Sequence, residues 1–342
     1  MRRWVLQAAG LLIIVLLVRL MRSPEEAPLP GEAQLVEETR LAMGTVVRIR
    51  LYAAPEEAQP LLNRAFGEIG RIDSIMSSHS PTSEVRQVEQ LAQDGPTRCS
   101  PSLAAVLQRG QFLAQETKGA FDPTLGRLTR LWGFPEAQQP PPPAQIDSAL
   151  AATGYRHVRF AGDSLHVQRA GLRLDLGAGA KGYAVDRAVE LLRDSDVVAG
   201  LVEAGGDLRF WGEKPDGRPW RFGVQHPRDA AIAVEAQAIG LEALATSGDY
   251  EQFFEYHGER FHHLLDPLTG YPARRSVSAT VWAATALDAD ILSTAVFVMG
   301  PQRGLEWIEK WPGGEALVFY MEEGRLQHRA SSGIENSLKI NK

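Results

Sequence analysis

Asp290 and Thr294 stand four residues apart in the apolar run AATALDADILSTAVFVMG (283–300), with Ser293 beside them. On a helix that spacing puts both on one face, which Ile291, Ala295, Val296 and Phe297 flank. A carboxylate and hydroxyls on a largely buried helix make an oxygen donor set of the kind hard cations such as Mg²⁺ take. The competing reading is a carboxylate favoured by the helix dipole in the first turn. Asp288 has its own structural explanation, because Thr285 and Asp288 fit a capping box. His262 and His263 precede Leu264-Leu265-Asp266-Pro267. Neighbours on a strand point to opposite faces, so only one of the two can face a site; the other reading of either is a packing residue. Turn chemistry alone accounts for Asp266, Pro267 and Gly270.

Residues 171–193, GLRLDLGAGAKGYAVDRAVELLR, place Gly177, Gly179 and Gly182 as G-x-G-x-x-G between an extended segment and a helix. Glu203 follows about 20 residues on, so the stretch matches a dinucleotide fingerprint and a nicotinamide-dependent dehydrogenase is one reading. Two features oppose it. The chain from 197 to 282 reads as strands broken by Gly and Pro, without further βαβ turns. Asp175 lies before the first glycine, where a carboxylate repels a pyrophosphate unless a metal or proton intervenes. Lys181 inside the loop suggests a different use of phosphates. The plain alternative is a tight turn that needs small residues. Met43-Gly44-Thr45, Phe121-Asp122-Pro123-Thr124, Gly205-Gly206-Asp207 and Ser247-Gly248-Asp249 are each weak alone.

Taken in order, these blocks resemble one family, the ApbE-type FAD:protein FMN transferases. The blocks are Met43 to Thr45, Ala120 to Thr124, Asp175 to Asp186, Glu203 to Asp207, Ser247 to Tyr250, His263 to Pro272 and Ala286 to Thr294, spread over about residues 40–300. The resemblance implies an α+β fold of mixed and antiparallel sheets with packed helices and a flavin cleft. It implies Mg²⁺-dependent transfer of FMN from FAD to a threonine or serine hydroxyl of a target protein, with release of AMP. By position, FAD contacts fall on Met43, Ala120, Phe121, Asp122, Asp175, Lys181 and Leu264. A further contact, an aromatic in the family, falls at His79. The metal ligands fall on the Ala178 carbonyl, Asp290 and Thr294, with Ser293 adjacent. The family's histidine, three residues before the Asp-Pro turn, is His263, and an imidazole has a suitable pKa to take the acceptor's proton. Lys181 neutralises phosphate charge in this scheme. Glu203 replaces the family's usual Asn, a change that adds a charge near the cleft.

The elements that must position these groups are legible in outline. Residues 39–52 alternate as a strand after Gly44. Leu62, Ala65, Phe66, Ile69, Ile72 and Met76 recur at helical spacing over 56–77. Ser100-Pro101 opens a helix that ends near Gly119. The prolines at 140–143 read as a rigid surface excursion. Short strands are expected at 156–160, 164–169 and 171–176, helices at 181–193, 286–298 and 302–310, and two strands near the C-terminus. Helices and strands interleave without regular βαβ alternation, which indicates α+β.

Composition bounds the rest. The chain has 342 residues, 36 Lys plus Arg against 42 Asp plus Glu, a net charge of −6, and one cysteine, Cys99. A mildly acidic chain is a poor duplex DNA binder, so no nucleic-acid partner is expected. A single cysteine excludes an intramolecular disulfide and a multi-cysteine metal site. Residues 1–22, MRRWVLQAAGLLIIVLLVRLMR, read as a membrane anchor or a signal peptide; the absence of a small-x-small cleavage site favours the anchor. Residues 23–38 read as a tether, 39–335 as the flavin transferase domain and 336–342 as a tail. The expected place is the inner membrane with the body on the periplasmic side, where exported or membrane redox subunits are the FMN acceptors. FAD hydrolysis to FMN and AMP, and flavin binding without turnover, are the competing activities.

Overall fold

The computed structural model describes residues 33–340 except 196 and 230. The anchor expected at 1–22 lies outside them, and among the described residues no helix is long and apolar enough to cross a membrane. The chain opens with a hairpin, β1 (Gln34–Ala42) and β2 (Thr45–Ala53). Its turn is Met43-Gly44, both at positive φ, 54° and 71°. Alternation drives Val47, Ile49, Leu51 and Ala53 of β2 into the core. Helices α1 (Pro55–Met76) and α2 (Glu84–Leu91) follow, then β3 (Thr97–Arg98) and α3 (Pro101–Glu116). The Ser100 hydroxyl caps α3 by accepting from the Leu103 amide.

Two short helices, α4 (Gly126–Trp132) and α5 (Pro143–Leu150), lead to β4 (Val158–Ala161) and β5 (Ser164–Val167). Then come α6 (Ala180–Arg193), β6 (Ala199–Ala204), β7 (Asp207–Trp211), β8 (Arg221–Gln225), β9 (Ile232–Gln237), β10 (Ala243–Gly248), β11 (Phe253–Tyr256), β12 (Glu259–His262) and β13 (Ser278–Ala283). The chain ends with α7 (Ala286–Met299), α8 (Pro301–Ile308), β14 (Gly314–Glu322), β15 (Arg325–Ala330), α9 (Ser332–Glu335) and β16 (Leu338–Ile340).

The fold is α+β. Its central sheet has eight strands in the order β1-β2-β6-β7-β10-β13-β14-β15, and every neighbouring pair is antiparallel. That arrangement excludes the dinucleotide-binding reading of the glycine loop, which requires parallel βαβ units. Three small sheets are attached: β3-β5-β4, β11-β12 and β16-β9-β8. Helix α7 is apolar nearly all round and almost wholly buried, as a central helix must be.

Four expectations change. Residues 34–38, read as tether, begin β1, because their alternation pairs with β2 in register from Gln34–Ala53 to Ala42–Thr45. The tail supplies β16, which pairs with β9. Residues 171–176 form no strand beyond an isolated bridge from Arg173 to Leu125. Their backbone groups are taken elsewhere: the Leu174 amide donates to Glu89, the Asp175 amide to the Pro123 carbonyl, and the Arg173 carbonyl accepts from Gly126. The proline run ends inside a helix, since Pro143 occupies the first turn of α5, where its missing N–H costs nothing.

Candidate active site

The site begins where α6 meets α7. A β-carbon at Gly182 would stand 2.2 Å from the Ala286 carbonyl oxygen, so only glycine lets the two helix backbones touch there. Gly179 precedes α6 at φ 109°. This approach brings the amides of Gly179 and Gly182 to Asp290 Oδ2 at 2.9 and 3.1 Å. The glycines read as a pyrophosphate loop thus hold a carboxylate of their own chain. Asp290 is buried, and among the described residues the contacts of its carboxylate run through Oδ2, which leaves Oδ1 for a ligand.

Hydroxyls complete the pocket. Ser247, at the end of β10, is 2.8 Å from Ser293 Oγ and 3.2 Å from Thr294 Oγ1, and the Ser293 hydroxyl donates to the Asp290 carbonyl at 2.9 Å. The Asp290 carboxylate and the hydroxyls of Ser247, Ser293 and Thr294 are all oxygens, of the type that suits a hard cation. Among the described residues no three His, Cys, Asp or Glu side chains cluster as a metal site, so a cation here would have one carboxylate and the neighbouring hydroxyls as its side-chain donors.

Lys181, one residue into α6, lies 2.9 Å from Asp207 Oδ2 and 3.7 Å from Asp290 Oδ2. Burial pulls its pKa down, but the two carboxylates outweigh burial and hold it above its ordinary value. Burial and the Asp290 charge push the Asp207 carboxyl up, while Lys181 opposes them. Lys181 is expected at phosphates; here it is already engaged by two acids. Asp207 follows the Gly205-Gly206 turn, and a β-carbon on Gly205 would come 2.6 Å from Thr45 Oγ1. The Met43–Thr45 and Glu203–Asp207 blocks therefore touch. The Glu203 charge is not left free near the cleft, because Arg48 on β2 pairs with it at 3.6 Å.

The strand expected to carry both histidines, β12, ends at His262, so His263 begins the loop that follows and strand alternation does not set its direction. His262 is buried, its Nε2 2.8 Å from the Ala273 carbonyl and its ring edge-on to Phe297. His263 hangs from the 249–252 loop through its amide, which donates to the Gln252 carbonyl at 3.1 Å. Its Nδ1 is buried without a hydrogen-bond partner among the described residues. Desolvation pushes His263 down to about 4, with the nearby His262 and Lys181 charges acting in the same direction, so the ring is neutral at pH 7. Asp249, of the Ser247-Gly248-Asp249 block, is held by Arg228, which grips both its oxygens.

The remaining expected contacts fall in two groups. Ala120, Phe121, Ala178 and Leu264 share one apolar cluster with Ile291, Leu292 and Ala295 of α7. His79 and Asp175 line a cleft of about 550 Å³ with Arg86, Arg130 and Arg173. Asp175 belongs to both regions, since it lines the cleft, accepts from Thr129 and Gly177, and opens the turn that ends at Gly179. Both oxygens of Asp122 are already used: Oδ1 accepts from Thr124 and Oδ2 from the Tyr155 amide, so it knits its own loop. Met43 sits at the hairpin turn. Sequence reasoning missed Ser247 as a partner of Thr294, Glu251 as a charge acting on Lys181, and Arg228 altogether. Only Ser247, inside a block already noticed, carried any signal.

The chain resembles known proteins over most of its length. The model of the ApbE family matches residues 43–319. The chain is 32% identical over 336 residues to a FAD:protein FMN transferase of Treponema pallidum, covering 91% of each. It is 32% identical over 334 residues to one from Salmonella typhimurium, covering 93% of each. The crystal structure of the ApbE protein from Thermotoga maritima superposes with a TM-score of 0.79 at 35% identity, over 87% of this chain and 97% of that one. Apo flavinyl transferase ApbE of Pseudomonas stutzeri gives 0.80 at 30% identity, over 90% and 97%.

Proposed function

The chain belongs to the ApbE family and moves FMN from FAD to a target protein; we propose that the acceptor is a threonine or serine hydroxyl, that AMP leaves, and that Mg²⁺ assists in the Asp290 pocket. The observation that carries this reading is Asp290, buried and held by the amides that start α6, with one carboxylate oxygen free beside three hydroxyls. Asp290, Thr294 and the Ala178 carbonyl would hold the cation, with Ser293 behind them. Bound there, Mg²⁺ supplies positive charge to the pyrophosphate and the departing AMP.

This chain's own groups do the rest. The cleft beside His79 and Asp175 presents Arg86, Arg130 and Arg173, which suits the phosphate-bearing AMP half of FAD. Ala120, half-buried over the buried Phe121 and Leu264, marks the apolar cluster against which the flavin would lie. His263, neutral and poised with an unpartnered ring nitrogen, takes the proton of the acceptor hydroxyl. The hydroxyl oxygen then bonds to the FMN-side phosphorus as the bond to the AMP phosphate breaks. Lys181 places positive charge at the same locus. Placement of the chain at the inner membrane, facing exported or membrane-bound redox subunits, is supported by the apolar stretch between Arg3 and Arg19.

The test is intact-mass analysis of candidate exported redox subunits incubated with the protein, FAD and Mg²⁺. Addition of one FMN to the acceptor, lost with EDTA and in Asp290→Ala, is expected. Free FMN with an unlabelled acceptor establishes the hydrolase instead.

A further inference from the structure

Asp249 is the third residue of the motif Ser247-Gly248-Asp249-Tyr250, and an arginine takes up its carboxylate. Arg228 Nη1 and Nη2 donate to its two oxygens at 2.6 and 2.7 Å, a bidentate fork. Arg260 of β12 adds a second cation at 3.7 Å. Asp249 is buried, and its amide donates to the Val277 carbonyl, just before β13. Arg228 comes from another part of the fold, the loop between β8 and β9. That loop is braced internally: the Arg228 amide donates to His226 Nδ1 at 3.2 Å and the His226 amide to the Ala231 carbonyl at 2.8 Å.

The segment that Asp249 anchors carries the chemistry at both ends. Ser247, two residues before, touches Ser293 and Thr294. Gln252, three residues after, accepts the His263 amide. Between them Tyr250 folds back so closely that a β-carbon on Gly248 would meet its ring at 2.5 Å. The segment is thus a short strut between the hydroxyl pocket and the histidine, and its buried charge is tied off by an arginine from the small sheet.

We infer that Arg228 is a positioning residue of the transfer reaction: by clamping Asp249 it fixes the 247–252 strut and so sets where His263 stands relative to Ser247 and Thr294. The small sheet β16-β9-β8 then works as an outrigger that stiffens the site through one side chain. This inference rests on the FMN-transfer reading for its catalytic consequence, though not for the clamp itself. A lysine cannot replace the fork, since a single ammonium cannot hold both oxygens in one plane.

The experiment compares the full-length protein with Arg228→Ala and Arg228→Lys, in steady-state FMN transfer and in hydrogen exchange of the 249–263 segment. The expected result is a kcat lowered roughly 10–100-fold in Arg228→Ala, as displacement of a reacting group by about 1 Å produces. KM for FAD should stay within about twofold, because the clamp touches no FAD-binding residue. Arg228→Lys should recover part of the kcat, and the His263 amide should exchange faster in both variants. Wild-type kcat in either folded variant overturns the inference, as does unchanged exchange. So does a loss explained wholly by a smaller folded fraction, read from thermal melts. Should Arg228→Ala fail to fold, Arg228→Lys decides: reduced kcat at constant KM supports the clamp, and normal kcat refutes it. Failure of the wild type to transfer FMN counts against the functional reading, while the exchange data still judge the clamp.

Discussion

His263 and His262 show how one burial event serves two ends. Both rings are pushed down to about 4 by desolvation, from 6.5 in the open chain. His263→Ala should lower the transfer rate by about 10²–10⁴ with FAD still bound, which initial rates at saturating FAD will show. His262→Ala should leave the chemistry largely intact but remove a buried ring and its bond to Ala273, at roughly 1–3 kcal/mol in denaturant titrations. Both histidines also make stability depend on pH with a definite sign. Above 6.5 neither folded nor unfolded chain is protonated at these rings. As pH falls from 6.5 toward 4, the unfolded chain binds protons that the folded one refuses, so the contribution of these rings falls across that window. Glu251, which burial pushes up to about 7, acts with the opposite sign over the same range, so the His262 contribution is read by difference: the pH 7 to pH 5 change in urea midpoint should be more destabilising in the wild type than in His262→Gln. Equal changes in the two proteins would show that the ring is not desolvated as described.

Helices α6 and α7 depend on each other at the level of elements. Gly182→Ala drives a methyl into the Ala286 carbonyl, so the helices must part. The expected cost is about 1–3 kcal/mol, with loss of transfer because the Gly182 amide leaves Asp290. Thermal melts and rates should fall together; a stable, active variant would show that the close approach is dispensable. The start of α7 is secured differently from the capping box expected there. The Thr285 hydroxyl does accept from the Asp288 amide, but the Asp288 carboxylate crosses to α3 and pairs with Arg109 through two bonds of 2.7 Å. Asp288→Ala should therefore cost roughly 1–3 kcal/mol while transfer survives, and Arg109→Ala should match it. A large loss of activity in either would place that pair in the site.

Across the whole molecule, the last residues matter more than a tail would. Removing 336–342 deletes β16 and leaves β9 as an open edge. The truncated protein should melt several degrees lower, and if the β8–β9 loop loosens, transfer should fall at constant KM for FAD, as with the Arg228 variants. A melt unchanged from wild type would show that β16 contributes nothing. The N-terminal stretch makes a separate prediction. Fractionation should recover the full chain with the inner membrane, its body open to protease added from the periplasmic side. A soluble product whose N-terminus lies near residues 23–30 would instead show a cleaved signal.

The sequence by itself determined what short-range pattern can carry. The 3.6-residue spacing of Leu62, Phe66, Ile69 and Ile72 specified α1, and period-two alternation specified β2, because burial on one face is written directly into local order. Asp290 and Thr294 shared a helix face for the same reason. Seven co-linear blocks named the family. What the tertiary structure decided were the contacts between blocks. That Gly179 and Gly182 serve Asp290 and not a pyrophosphate depends on α6 meeting α7, more than a hundred residues later in the chain. That Glu203 is neutralised depends on Arg48 lying on the adjacent strand. Arg228 carried no local signal, since an arginine in a polar hairpin loop looks like any solvated charge until the fold lays Asp249 against it. Residues 171–176 alternate well enough for a strand, but Glu89, Gly126 and Pro123 claim their backbone groups first. Hydrogen-bond partners distant in sequence leave no periodic trace, so they are settled only when the chain closes on itself.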